Sequence, residues 1–132
     1  IEAAQTDPSI CARAIVADLE HVGMVVIDHI ERPPDKGRLH IYLGSPSVRG
    51  KGIGQRALGL ALATAFRELK LPKVWLTVHA KNPGAIAAYV AVGFQVEGVM
   101  RDAFSLGRER VNELHMGILA SEWKIRMKTR AG

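Results

Sequence analysis

Val48-Arg49-Gly50-Lys51-Gly52-Ile53-Gly54-Gln55 packs three glycines and two cations into eight residues of a 132-residue chain. It stands between a strand pattern and the most regular helical pattern in the sequence. After it, Ile53, Ala57, Leu58, Ala61, Leu62, Ala65, Phe66 and Leu69 recur at three-four spacing, which predicts an amphipathic helix over residues 52–69. Before it, Arg38-Leu39-His40-Ile41-Tyr42-Leu43 reads as a strand, ended by Gly44-Ser45-Pro46-Ser47. Glycines let the backbone turn tightly, and the N-terminus of the following helix offers free N–H groups and the positive end of its dipole. Such a turn suits an anion, a phosphate above all, and Arg49 and Lys51 add charge. Glycine-rich turns are also ordinary structural punctuation, so the spacing has to say which ligand, if any, is meant.

Two phosphate-binding modes fail on spacing. A Walker loop has four residues between its first Gly and a Gly-Lys pair followed by Ser or Thr; here Gly44 is one residue too far away and Gly52 follows Lys51. A dinucleotide fingerprint has a third Gly three residues after the second, but Gly50 and Gly52 lead to Gln55.

Outward from the loop, residues 11–17 and 22–30 are rich in Ile and Val and predict two strands around the polar turn Asp18-Leu19-Glu20-His21. Glu31-Arg32-Pro33-Pro34-Asp35-Lys36-Gly37 is a loop by its prolines and glycine. Pro72 stops the long helix, and Val74-Trp75-Leu76-Thr77-Val78 reads as a buried strand. A second helix has Asn82 as N-cap, Pro83 in its first turn and Gly93 where a left-handed C-cap belongs. Residues 94–100 and 113–119 predict the last strands, and the basic tail over 124–130 is expected to fray. Hairpins thus flank a strand-helix-strand unit, which predicts one mixed α/β (α+β) domain over residues 1–132, without repeat or linker.

Composition bounds the class. With 48% apolar and 23% charged residues the chain is ordinary for a globular domain, and its longest apolar run, residues 57–66, falls far short of the roughly 20 residues of a membrane span. A single cysteine, Cys11, excludes an internal disulfide. The opening Ile1-Glu2-Ala3-Ala4-Gln5 lacks the basic and apolar regions of a signal peptide, so a cytoplasmic location is the expectation. A net charge of +5 is moderate and does not favour nucleic acid over a solvated surface. The five histidines and one cysteine show no close ligand spacing, so no metal site is expected.

Arg49-Gly50-Lys51-Gly52-Ile53-Gly54 resembles the Arg/Gln-x-x-Gly-x-Gly/Ala pyrophosphate loop of the GNAT acyl-CoA-dependent N-acetyltransferases. A second motif agrees in register: Asn82-Pro83-Gly84-Ala85-Ile86-Ala87-Ala88-Tyr89, followed by Gly93-Phe94, is similar to the family's Asn-x-x-Ala-x-x-x-Tyr helix and its Gly-Phe ending. Gly98-Val99-Met100-Arg101-Asp102 and Glu113-Leu114-His115-Met116-Gly117-Ile118-Leu119 resemble the RimJ/RimL-like branch, which contains ribosomal-protein N-terminal, polyamine and other small-amine acetyltransferases.

The resemblance implies a mostly antiparallel sheet splayed where CoA enters, with acetyl-CoA as cosubstrate and an amine as acceptor. It places Tyr42, Leu43 and Gly44 at the splay, where their backbone groups would pair with the pantetheine and one N–H would stabilise the developing oxyanion. The amides and side chains of Val48, Arg49, Gly50, Lys51, Gly52, Ile53, Gly54 and Gln55 would hold the pyrophosphate. Tyr89 would protonate the departing thiolate; on the residues alone the preferred reading is a core aromatic with a bonded hydroxyl. Asn82 would touch the cofactor or only cap its helix. The attacking amine must be neutral, and its proton goes to His79, to His40 or to a water chain; the Glu that some relatives carry on the strand is absent from Arg38-Leu39-His40-Ile41-Tyr42. Asp28, Glu31, Asp102 and Glu113 are carboxylates that would draw a cationic amine or simply lie in solvent.

Relatives begin with a further strand and helices, and the chain is expected to start after them, with residues 1–9 as the end of a helix. Pairing of an exposed last strand with a second copy is the expected route to a homodimer. The competing readings are a CoA-binding module without catalysis and a basic domain that binds nucleic acid.

Overall fold

Every second residue of Lys73–His79 is buried, namely Val74, Leu76 and Val78, the alternation of a strand with one face in a core. The computed structural model describes residues 8–17, 20–30, 35–44 and 52–131. Six strands, β1 (Cys11–Ala17), β2 (Glu20–Asp28), β3 (Gly37–Leu43), β4 (Lys73–His79), β5 (Gln95–Leu106) and β6 (Glu109–Leu119), form one sheet in the order β1-β2-β3-β4-β6-β5. All neighbours are antiparallel except β3 and β4. A parallel pair needs a crossover, and helix α1 (Ile53–Ala63) supplies it, with α2 (Pro83–Val92) and α3 (Ala120–Ala131) completing the fold.

The helices lie on one face. Ala57, Leu58, Ala61 and Leu62 of α1 meet Val25, Ile27, Leu39, Val74, Leu76, Met116 and Ile118 of the sheet in one apolar cluster, which Trp123 of α3 joins. By alternation, Asp28, Arg38, His40, Tyr42, Trp75, Thr77, His79 and His115 point to the opposite face.

The mixed α/β expectation with a mostly antiparallel sheet holds, and four details differ. The long helical pattern is α1 followed by a π turn, Thr64–Glu68, with Leu69 N–H bonded to Thr64 O; apolar spacing at three and four does not distinguish the two windings. β5 and β6 reach further than residues 94–100 and 113–119, closing a hairpin at Leu106↔Glu109 with Gly107 at φ +65°. This part is mostly exposed and polar, so it carries no hydrophobic alternation to read. The hairpin also returns β6 to the inside of the sheet, where Glu113–Leu119 pair with β4, so the edge strand on this side is β5 rather than the last strand.

The basic tail, expected to fray, is helical through Ala131 as α3. Trp123 is 4% exposed, its ring 5.4 Å from that of Phe66, with the Arg67 guanidinium 4.9 Å from its centroid. Arg126 Nη2 donates to Ala91 O at 2.8 Å, tying α3 to α2. The N-terminal expectation falls mostly on residues 1–7, outside the described residues; Pro8 and Ser9 form a turn, not helix.

Candidate active site

The sheet opens in its middle. β3 and β4 pair only at Gly37↔Val74 and Arg38↔Trp75, although β3 runs on to Leu43 and β4 to His79. Their outer edges stay paired: Leu43 faces Gly23 of β2, and His79 faces Glu113 of β6. Past Arg38 and Trp75 the inner edges therefore border a gap lined by backbone N–H and C=O groups that have no strand partner. An extended ligand with amides of its own can fill such a gap as an added strand.

Of the three residues expected at the splay, the backbone directions single out one. Gly44 N–H donates to Val22 O at 2.7 Å, and the Tyr42 carbonyl lies 2.0 Å from where a Cβ on Gly23 would stand. Both residues thus direct backbone groups at β2. Alternation along the strand turns the Leu43 and Ile41 backbone toward the gap. The expectation that Gly44 offers its N–H to a ligand is corrected: that donor is used within the sheet.

Helix α1 begins at the wide end of the gap. Gly52 is its N-cap, left-handed at φ +76°, without a side-chain cap and without an acidic residue in the first turn. The first helical bond is Arg56 N–H to Gly52 O at 3.0 Å, so the amides of Ile53, Gly54 and Gln55 have no partner in the helix. Leu43 Cδ1 lies 3.6 Å from the Cβ position of Gly54, which brings the end of β3 and the first turn of α1 together. N–H groups with no helical partner, beside strand backbone unpaired among the described residues, suit a ligand with a phosphate at one end and amides along its length. Val48, Arg49, Gly50 and Lys51 lie outside the described residues.

The second motif has the capping geometry its spacing predicts. Asn82 Oδ1 accepts from Ala85 N–H at 3.2 Å, and Gly93 closes α2 at φ +114°. Asn82 is exposed, so the capping role leaves the residue open to solvent. Tyr89 is half-buried and packs edge-to-face on Phe94 at 5.8 Å; burial pushes its hydroxyl above the ordinary tyrosine value of 10.0. It keeps its proton throughout the neutral range.

The face without helices is polar around the gap. Arg38 Nη2 donates to Thr77 Oγ1 at 3.0 Å, and its guanidinium lies 5.3 Å from the Trp75 ring centroid. Trp75 stacks parallel to His115 at 6.1 Å, and His40 parallel to Tyr42 at 6.3 Å. The Nδ1 atom of His79 is shielded, without a hydrogen-bond partner, and its ring is edge-on to Phe104 at 6.0 Å. His40 and His79 both border the gap, as their places in the strands suggest. Sequence reasoning missed the link of Asp28 to His40, with Oδ2 to Nε2 at 3.0 Å; it depends on the β2–β3 register, which the loop before β3 hides. Cys11 is free and buried. Among the described residues no three His, Cys, Asp or Glu side chains converge as metal ligands, and no helix is long and apolar enough to cross a membrane.

A family model described as acetyltransferase (GNAT) family matches residues 2–94. Spermidine N(1)-acetyltransferase of Escherichia coli K12 is 31% identical over 115 residues, 87% of this chain and 61% of its own length. The N-alpha-acetyltransferase RimI of Mycobacterium tuberculosis is 33% identical over 97 residues, 67% of this chain and 59% of its own. Among solved structures, a spermidine N-acetyltransferase from Vibrio cholerae in complex with CoA and spermine superimposes with a TM-score of 0.81 at 26% identity, over 88% of this chain and 69% of that one. The chain spans about three fifths of the length of the curated relatives it matches.

Proposed function

The chain belongs to the acetyltransferase (GNAT) family, and we propose that it transfers an acetyl group directly from acetyl-CoA to a primary amine. The carrying observation is the divergence of β3 from β4 after Arg38 and Trp75, with the uncapped first turn of α1 set against Leu43 at its wide end. These residues fit acetyl-CoA by their chemistry. The amides of Ile53, Gly54 and Gln55, with Arg49 and Lys51, would hold the pyrophosphate; the Leu43 and Ile41 backbone would bond the pantetheine amides.

Tyr89 supplies the proton that the departing sulfur needs, and the rise in its pKa keeps that proton in place until it is used. Acetyl-CoA brings the activated acyl group. The chain's part is to align that group along β3 and to exclude alternative orientations through the pairing. Polyamines are the acceptor class supported by those relatives that are named for spermidine, and this is also one of the acceptor classes of the RimJ/RimL-like branch. A cytoplasmic location accords with a supply of acetyl-CoA.

Calorimetric titration with acetyl-CoA and with desulfo-CoA tests the site. Saturable binding of both is expected. Gly52→Trp should abolish it while the protein stays folded: among the described residues no atom beyond its chain neighbours stands within 4 Å of the Gly52 Cβ position. The positive φ adds a strain of about 1–2 kcal/mol. Equal affinity in parent and variant would remove the pyrophosphate site. Binding without transfer to any amine would leave a CoA-binding module.

A further inference from the structure

We propose that His40 accepts the proton of the attacking amine and that Asp28 is the residue that positions it, on the face of the sheet opposite the helices; this rests on the acetyl-transfer reading above. His40 is two residues past Arg38, the last residue of β3 to pair with β4, so its strand position borders the gap. Leu39 and Ile41 pack into the core, which turns His40 to the other face. Asp28 pairs in register with Arg38 and lies on that same face, diagonal to His40.

Asp28 holds two imidazoles at once. Its Oδ1 is 2.7 Å from His29 Nδ1, and its Oδ2 is 3.0 Å from His40 Nε2. His40 Nε2 is shielded from solvent and the contact lies off the line of an ideal hydrogen bond. A shielded nitrogen beside a carboxylate, with no other acceptor, keeps its proton toward that carboxylate. To serve as the base, His40 carries its proton on Nε2, toward Asp28, which leaves the lone pair of Nδ1, bonded to no described residue, for the amine. Burial raises the Asp28 carboxyl, but its contacts with the two imidazoles outweigh it and hold the group below its ordinary value of 3.8. Asp28 is therefore anionic wherever the reaction runs.

His79 also borders the gap, yet no described carboxylate contacts it and its ring is fixed against Phe104. The other titratable or charged groups on this face include His29, which follows β2, Arg38 and Tyr42 from β3, the Lys73–Glu97 ion pair between β4 and β5, and Glu113 and His115 from β6. Only Asp28 approaches His40 at ion-pair distance among the described residues. The amine nitrogen bonds to the acetyl carbon and gives its proton to His40 Nδ1, the carbon–sulfur bond breaks, and the thiolate takes the Tyr89 proton. Solvent then restores His40 and Tyr89.

The test compares the full chain with His40→Gln, Asp28→Asn and Asp28→Glu, using spermidine and an alanyl peptide as acceptors. His40→Gln and Asp28→Asn should keep acetyl-CoA affinity within about twofold and lower kcat by roughly 10²-fold or more, the usual range for a lost general base. The loss should shrink as pH rises, because more of the amine arrives neutral. Asp28→Glu should recover part of it. Independently of turnover, nitrogen-15 imidazole spectra, assigned by the signal missing in His40→Gln, should show His40 as the Nε2–H tautomer. An Nδ1–H tautomer, or equal kcat in parent and His40→Gln, overturns the assignment and leaves the acetyl-transfer reading intact. A parent that binds no acetyl-CoA, or binds it and acetylates neither acceptor, overturns that reading and the proposal with it.

Discussion

Tyr89 combines two properties that a single side chain on a packed helix does not need. Its ring does structural work against Phe94, and its main-chain carbonyl accepts the N–H groups of Gly93 and Phe94 at the end of α2. Neither role uses the hydroxyl. Tyr89→Phe keeps both, so its effect isolates the proton: kcat should fall by about 10²- to 10⁴-fold with acetyl-CoA affinity unchanged. Stability supplies a second readout. The folded pKa lies above the unfolded value of 10.0, so this contribution is intact below pH 10 and is lost as pH rises through the folded pKa. Tyr89→Phe lacks that loss, and the variant should gain on the parent in alkaline melts. Equal turnover in the two proteins would return Tyr89 to the core. Residue identity made this position visible in the sequence through its distance from Asn82 and Gly93; Asp28 had no such marker, because its partner lies on another strand.

Elements, more than side chains, build the gap. β2 and β3 approach unusually closely at their ends: Gly23 sits opposite Leu43, and β1 carries an irregularity where Ile15 and Val16 face this part of β2. A Cβ on Gly23 would meet the Tyr42 carbonyl oxygen at 2.0 Å and the Tyr42 carbonyl carbon at 3.0 Å. Gly23→Ala must therefore push the end of β3 away from β2, toward the gap. The expected cost is about 1–3 kcal/mol, as for other overpacked sites, with acetyl-CoA affinity falling as well, because the Leu43 backbone moves. Chemical unfolding and calorimetry measure the two effects, and a variant equal to the parent in both would separate the β2–β3 approach from the site. Helix α1 and both capped ends of α2 were readable because each is a local pattern. Which backbone groups of Tyr42, Leu43 and Gly44 face the ligand was not, since it depends on pairing with β2 across a loop.

At the scale of the molecule, the division of labour follows the two faces of the sheet: helices and apolar side chains on one, histidines, Arg38 and Trp75 on the other. The apolar face needs covering, and α1 and α2, as crossovers, leave its corner near Phe66 to α3. The basic composition of residues 124–130 hid this, for charge there is compatible with either a loose tail or the outer face of a helix. Trp123 decides between them. It is 4% exposed, with Phe66 against its ring and Arg67 over it, and Glu122 Oε1 caps the turn into the helix by accepting from Leu119 N–H at 2.9 Å. Removing the indole leaves a cavity under the π turn and frees the helix that covers it. Trp123→Ala should destabilise the protein by about 3–5 kcal/mol, read as a lower denaturant midpoint, and Trp123→Phe by less, since Phe retains part of the contact with Phe66. The gap between β3 and β4 lies on other elements, so acetyl-CoA affinity under folding conditions should be unchanged in both variants. A frayed tail would predict no loss of stability in either, and a loss of affinity in the folded variant would mean that α3 bears on the gap through the core.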